Sequence, residues 1–163
     1  MTKSTFISIG AFLIAAVPAV TFAQHVSPSN SNFTASGPVA ITGTGFPITI
    51  CTLTITGTTG PNVGGAHAGH ATGGTITSGQ FTGSGICPLF SMNVATSPSF
   101  GITGSGTGVF NAIELGICGP SGGTVVPFAI TNTSATTSAI EFTAPIGICL
   151  VDASLDANFV VVT

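Results

Sequence analysis

The chain has 163 residues, of which 3% are charged, and its formal net charge is −3. Lys3 is the only lysine or arginine, so almost the whole chain lacks the cations that bind a nucleic-acid backbone or an anionic membrane surface. This composition excludes nucleic acid as a partner. Its hydrophobic content of 44% is the opposite of a disordered composition.

Residues 1–23 have the features of a signal peptide. Lys3 supplies a positive start, an apolar run follows from Phe6 to Val17, and Ala23 offers a small residue for cleavage before Gln24. The apolar run is shorter than the ~20 residues that a membrane-spanning helix needs. We therefore expect residues 24–163 to be a single secreted domain without a transmembrane anchor.

From Gln24 onwards the composition is that of a β protein. Val, Ile and Thr dominate, and Gly and Pro separate short apolar runs. Strands that recur about every ten residues indicate a sandwich or a barrel, and we expect an antiparallel β-sandwich. The predicted strands lie near residues 32–36, 39–42, 48–56, 74–82, 92–96, 108–115, 124–132, 139–143, 148–153 and 158–163.

The strand near residues 48–56 shows which side chains face the core. Cys51, Leu53 and Ile55 alternate with threonines, so these three should point inward. Ile48 and Ile50 are out of phase with this set. The sequence therefore predicts a β-bulge near Ile50.

The scarcity of charge affects the edges of the predicted sheets. Charged side chains normally prevent edge strands from pairing with other chains, so self-association is a further expectation. Pro127 cannot donate a ladder hydrogen bond, which predicts an edge or a bulge at that point. The segment Phe159–Val162 is either an aggregation-prone strand or a buried central one, and we favour the buried strand.

The four cysteines each follow an isoleucine. An exported chain with no Cys-x-x-Cys pair favours two disulfides over a zinc site. Of the three possible connectivities we favour Cys51–Cys87 with Cys118–Cys149, because the segments FTGSGIC and FTAPIGIC precede the second cysteine of each pair. This echo predicts two similar halves, each closed by its own bridge. A chance likeness in a chain rich in Thr and Gly is the alternative.

The three histidines are weak candidates for a metal site. His67 and His70 stand three residues apart in a glycine-rich segment, and His25 follows the expected cleavage point. No nearby acid or free thiol completes a ligand set. We expect a solvated loop and no bound metal.

No pattern in the chain indicates an enzyme. There is no Gly-x-Ser-x-Gly motif, and Gly104–Gly108 lacks the lysine and helix of a phosphate loop, so it reads as a turn. Glu114 and Glu141 could form a glycosidase pair, but the chain has no Trp or Tyr to hold a sugar. We expect no catalytic residues and no cofactor, and we attribute the sequons at Asn32 and Asn132 to chance.

Three motifs, in this order, resemble the small secreted bacterial proteins called protein activators of alkane oxidation (PraB). They are the segment Val26–Pro38 (VSPSNSNFTASGP), the segment Cys51–Gly57 (CTLTITG), and Cys118-Gly119-Pro120 followed by Cys149. The family pattern has a Trp after its second cysteine, where this chain has LFSMNV at residues 89–94. The resemblance implies an extracellular protein that promotes the use of liquid hydrocarbon and needs no cofactor.

These observations together predict a non-enzymatic protein that acts at hydrophobic interfaces. A neutral surface rich in methyl groups loses little hydration free energy at such an interface. Phe46, Phe90, Phe100 and Phe110 are candidates for exposed contacts, with ordinary core packing as the alternative. The alternative function is a structural subunit of an extracellular fibre, adhesin or matrix.

Overall fold

Eight antiparallel strands close into a barrel in the computed structural model, which describes residues 24–119 and 123–163. The signal peptide predicted at residues 1–23 lies outside the described residues. Around the barrel the strands follow in the order β2 to β9, and β1 pairs with β10 in a separate two-stranded sheet. The strands are β1 His25–Ser27, β2 Asn32–Gly43, β3 Phe46–Thr59, β4 Gly73–Thr82, β5 Ser99–Gly104, β6 Thr107–Ile113, β7 Thr124–Asn132, β8 Ser138–Ile146, β9 Cys149–Ala157 and β10 Val160–Val162. Short 3-10 helices cover Gly65–His67, Cys87–Leu89, Val94–Thr96 and Gly116–Cys118.

The all-β, antiparallel and disulfide-bonded architecture is confirmed, but the expected sandwich is wrong. Strand β2 pairs on both sides, so that Val39 is in register with Cys51 of β3 and with Ala153 of β9. This second pairing closes the sheet into a circle. The two halves do not have cores of their own, because Phe81 and Phe142 belong to one hydrophobic cluster.

Most predicted strands are present, with local differences. The strand predicted near residues 124–132 matches β7, while those predicted near 32–36 and 39–42 are one strand, β2. The strand predicted near residues 92–96 is wrong, since Val94–Thr96 forms a 3-10 helix after Asn93, whose side chain accepts a hydrogen bond from the Ala95 amide at 3.0 Å. Strand β5 was not predicted, because glycines interrupt its short apolar pattern.

The barrel interior is filled by side chains of alternate residues. On β9, Cys149, Val151, Ala153, Leu155 and Ala157 are buried while the residues between them are exposed. The void inside the barrel, lined by residues such as Leu53 and Phe142, has a volume of about 20 Å³. An interior this full has space for about one water molecule.

The bulge predicted near Ile50 is absent. The β2–β3 register runs without a break from Asn32 opposite Thr58 to Ile41 opposite Thr49, and it shifts only between Ile41 and Gly43. Because the alternation continues through the whole of β3, Ile48 and Ile50 lie on the outer face with Thr52.

The local edge predicted at Pro127 is present. Pro127 is in register with Val109 of β6, whereas the ladder between β7 and β8 begins only at Ala129 opposite Glu141. The proline therefore stands where β7 has no ladder partner on its β8 side, so its missing N–H leaves no ladder hydrogen bond unmade there.

The last strand was expected to be a buried central strand. Its inward side is buried, but the strand is not central in a sheet. Phe159 and Val161 are buried, and β10 lies over one end of the barrel with β1. The side chain of Asn132 pairs with the free side of β10: its Nδ2 donates to the Val161 carbonyl at 2.7 Å, and its Oδ1 accepts from the Val161 amide at 2.9 Å. The hydroxyl of Ser138, which is fully buried, lies 2.8 Å from both Asn132 Oδ1 and the Phe159 carbonyl.

Asn132→Ala is expected to lower the free energy of unfolding by about 2–3 kcal/mol. The substitution removes two backbone hydrogen-bond partners of Val161 and one partner of Ser138, and unsatisfied buried groups cost about 1–3 kcal/mol. Urea unfolding followed by circular dichroism measures the change. Asn32→Ala is the matched control, because Asn32 is an exposed strand residue like Asn132 but does not bind β10, and it should change stability by less than about 0.5 kcal/mol. Equal effects of the two substitutions would contradict the role given to the Asn132 side chain.

Candidate functional site

Both disulfides lie at the same end of the barrel. Cys51 is bonded to Cys87 and Cys118 to Cys149, which is the pairing that the sequence favoured. Gly43, the last residue of β2, is in register with both Phe46 of β3 and Cys149 of β9, so the β2–β3 and β8–β9 turns meet there. Each bridge links a 3-10 helix at this end, which carries Cys87 or Cys118, to a barrel strand, β3 or β9. We call this region the disulfide end.

The repeated Ile-Cys step places sulfur inside and isoleucine outside. All four cysteines are buried, whereas Ile50, Ile117 and Ile148 are exposed and Ile86 is partly buried. In strand β3, neighbouring residues point to opposite sides, so the inward Cys51 directs Ile50 towards solvent; the other three steps lie in 3-10 helices or at a turn. The four steps therefore also supply a set of apolar side chains at the surface.

Six exposed aliphatic residues surround the disulfide end, and we call them the apolar rim. Ile50 and Leu150 stand two strands apart on the outer face, with β2 between them. They are offset by two residues along the strands, because Ile50 is in register with Ala40 and Leu150 with Thr42, so their Cα atoms are about 12 Å apart. No member of the rim carries a charge. Its members are Ile48, Ile50, Leu89, Ile117, Ile148 and Leu150, whose exposed fractions lie between 37% and 71%.

Two open hollows adjoin Ile50. The smaller has a volume of about 320 Å³ and is bounded by residues 46–50 and 84–86. The larger has a volume of about 540 Å³ and extends along the outer faces of β2, β8 and β9, where Glu141 and Asp152 line it. Asp152 Oδ1 accepts a hydrogen bond from the Thr143 hydroxyl at 2.9 Å. The smaller hollow continues the uncharged rim, whereas the larger leads away from it towards carboxylates.

The phenylalanines expected at the surface lie inside instead. Phe90, Phe100 and Phe110 are buried, and Phe46 is partly buried with its ring centroid 5.8 Å from that of Phe90. The interior of an eight-stranded barrel is just wide enough for side chains to fill, and these rings are part of the filling. The sequence analysis did not predict the rim. The signal was present, because Ile48 and Ile50 occupy the same alternate positions of β3 as the outward-facing threonines.

The candidate carboxylate pair is not brought together. Glu114 follows β6 and accepts a hydrogen bond from Asn93 Nδ2 at 2.9 Å, while Glu141 lies in the middle of β8 between Ala129 and Ser154. The segment Gly104–Gly108 includes the turn between β5 and β6, as expected.

The structure brings two of the three histidines together. The rings of His25 and His67 are stacked, with centroids 4.3 Å apart and an angle of 24° between the planes. Within residues 24–119 and 123–163, no three His, Cys, Asp or Glu side chains are placed so that they could hold a metal ion. None of the helices in these two ranges has the length and apolar character needed to cross a membrane.

Comparison with known proteins identifies a family. Neither the curated proteins nor the solved structures include a match to this chain. The model of the family described as alkane oxidation protein activator PraA/PraB-like matches residues 1–162, nearly the entire sequence. The two disulfides are compatible with secretion, because such bonds persist in oxidising compartments. The chain belongs to the PraA/PraB-like family of alkane oxidation activators.

Proposed function

We propose that this protein is a secreted, non-enzymatic factor that adsorbs on liquid hydrocarbon through the apolar rim and thereby promotes alkane use. The single observation that carries the proposal is the concentration of six exposed, uncharged aliphatic side chains at one end of the barrel. The family to which the chain belongs names alkane oxidation as the process that is activated.

The filled interior favours contact with hydrocarbon at the surface. The void of about 20 Å³ is the space open to the centre of a water-sized sphere, and about 10–15 Å³ of such space holds one water molecule, so the interior has room for about one water. An alkane of the length found in oil cannot enter such a space without unfolding the barrel. The protein would therefore act on hydrocarbon as a phase and not carry single molecules inside.

Adsorption through the rim is energetically favourable. Burial of a whole Val, Leu or Ile side chain contributes about 1.5–3 kcal/mol, so side chains exposed to the extent of the rim residues should contribute roughly 1–2 kcal/mol each. Dehydration of a charged group would offset this gain, but the rim contains no charged group. The bridges Cys51–Cys87 and Cys118–Cys149 hold the rim segments in place, so adsorption orders little additional chain.

The alternative, a fibre subunit, would depend on free strand edges or on self-association of the rim. No strand of the closed barrel has a whole edge free, although β7 lacks a ladder partner on its β8 side at Pro127, and Asn132 occupies one side of β10. No described feature favours strand addition. Two protein molecules could instead associate through their rims, and this contact would compete with adsorption. Analytical ultracentrifugation at micromolar concentration would detect the resulting dimer.

Interfacial measurements test the proposal. Purified protein at micromolar concentration should lower the tension of a hexadecane drop in water, and the recovered hexadecane should be chemically unchanged by mass spectrometry. Added protein should restore growth on hexadecane to a producing strain that lacks the gene, with no effect on growth on acetate. An unchanged drop tension would rule out adsorption, and oxidised hexadecane in the recovered phase would rule out a non-enzymatic role.

A further inference from the structure

The histidines of the chain gather at the barrel end opposite the disulfides. Strand β3 starts at the disulfide end and finishes at Thr59, and the segment that follows carries His67 and His70. This segment is tied to the start of the described chain: Val26 and Ala71 exchange backbone hydrogen bonds, and the Ser29 amide donates to the Gly69 carbonyl at 2.9 Å. All three histidines of the sequence therefore lie in one corner.

Two ring nitrogens in this corner are buried without a partner. His25 is 6% exposed, and its Nδ1 has no hydrogen-bond partner. The Nδ1 atom of His70 is in the same condition. A buried nitrogen left unpaired costs stability, so such atoms call for a functional explanation.

An imidazole nitrogen without a hydrogen-bond partner keeps a lone pair for a metal ion. A lone pair on neutral imidazole is a preferred ligand of Zn²⁺ and Cu²⁺. We propose that His25 and His67 together bind one divalent transition-metal ion of this class, with water in the remaining positions. This site is separate from the apolar rim and does not depend on the proposed adsorption.

The distance between the two rings is close to that of two ligands on one ion, whereas their orientation is not. With metal–nitrogen distances of about 2.0–2.1 Å, two imidazoles on adjacent positions of one ion have ring centroids about 4.5–5 Å apart. The observed separation is 4.3 Å. The rings are now stacked face to face. To bind an ion, they have to rotate so that one nitrogen of each ring points at it. No three ligands converge in the structure as it stands, so the site is a two-imidazole one.

The loop that carries His67 is rich in glycine. Gly64, Gly65 and Gly69 have positive φ angles of 74°, 62° and 90°, and a Cβ at any of them would meet no atom within 4 Å. The loop is therefore open around these glycines. A bound ion would fasten the loop to β1.

Titration with Zn²⁺ and Co²⁺ tests the site. Calorimetry on the protein comprising residues 24–163 should show one Zn²⁺ per chain, and Zn²⁺ should raise the unfolding temperature, because an ion that binds only the folded state stabilises it. Co²⁺ should give the visible absorption bands of a nitrogen-ligated ion. His67→Phe keeps a ring to stack on His25 but removes the ligand, and it should weaken Zn²⁺ binding by roughly tenfold or more.

A carboxylate variant provides the control. Glu141→Gln with Asp152→Asn removes two acids of the larger hollow and should leave Zn²⁺ affinity unchanged. Circular dichroism should show that both variants remain folded. The proposal is overturned if the wild-type protein shows no saturable Zn²⁺ binding, if His67→Phe binds as tightly as wild type, or if the carboxylate variant loses the ion.

Discussion

The double substitution Ile50→Asp with Leu150→Asp is expected to weaken adsorption on hexadecane by at least about tenfold. Each replacement removes roughly 1–2 kcal/mol of apolar burial and introduces a carboxylate that must be dehydrated at the oil surface, and 1.4 kcal/mol corresponds to a factor of ten. The two residues lie on the outer faces of β3 and β9, so both charges face the same surface. The protein concentration that gives half of the full fall in drop tension measures the effect.

The matched control adds the same charge elsewhere. Val63 and Val94 are exposed by 43% and 42% and belong to segments outside the rim. Val63→Asp with Val94→Asp should leave the half-maximal concentration within about threefold of wild type, since a surface substitution away from the contact changes little. If both double variants lose adsorption equally, the effect is one of net charge and the rim is not the contact surface.

A neutral variant separates charge from apolar area. Ile50→Thr with Leu150→Thr places at the rim the residue type that β3 already presents at Thr52 and Thr54. Threonine has a high strand propensity, so the barrel should retain its stability. Adsorption is expected to fall between those of wild type and the aspartate variant. Circular dichroism during heating checks that all variants remain folded.

Local features of the fold were predictable from the sequence because they depend on neighbouring residues. The alternation of Cys51, Leu53 and Ile55 gave the inward face of β3, and the runs of Val and Thr between turn residues gave β7. Barrel closure was not predictable in this way. It depends on pairing between Val39 and Ala153, which lie far apart in the chain, and a strand pattern looks the same in a sandwich and in a barrel.

The candidate site was only partly predictable, for a reason of side-chain size and phase. Aromatic residues near predicted turns were expected at the surface, but Phe100 and Phe110 fill the interior. The rim residue Ile50 was assigned to a bulge, because an isoleucine was assumed to face the core. Ile50 alternates in phase with the outward-facing Thr52, which correctly predicts an outward side chain, whereas its hydrophobicity alone predicts an inward one.

Loss of the disulfides is expected to have the largest effect on stability. The bridges close loops with sequence separations of 36 and 31 residues, and cross-links of this span contribute about 3–4 kcal/mol each in the chain-entropy model. Cys51→Ala with Cys87→Ala, or Cys118→Ala with Cys149→Ala, should lower the free energy of unfolding by that amount. Alanine is preferred to serine because all four positions are buried and a hydroxyl there would lack a partner.

Removal of both bridges should leave the protein largely unfolded near room temperature. A combined loss of about 7 kcal/mol is comparable to the whole stability of a small domain, which is about 5–15 kcal/mol. Urea unfolding, with and without a thiol reductant, measures the loss. The reductant should shift the wild-type transition and leave the four-alanine variant unaffected.

The two bridges should also differ in their effect on adsorption. The Cys118–Cys149 bridge holds the 3-10 helix that presents Ile117 against the turn that carries Ile148, where the Ile148 amide donates to the Cys118 carbonyl at 2.9 Å. Its removal frees two rim residues, so adsorption should weaken even in conditions where the barrel remains folded. The Cys51–Cys87 bridge starts inside a long strand, where Ile50 keeps its place in the β2–β3 register without it, so its removal frees only Leu89 of the rim, in the 3-10 helix Cys87–Leu89. Equal adsorption by the two folded double-alanine variants would show that the rim does not need the Cys118–Cys149 bridge to hold its shape.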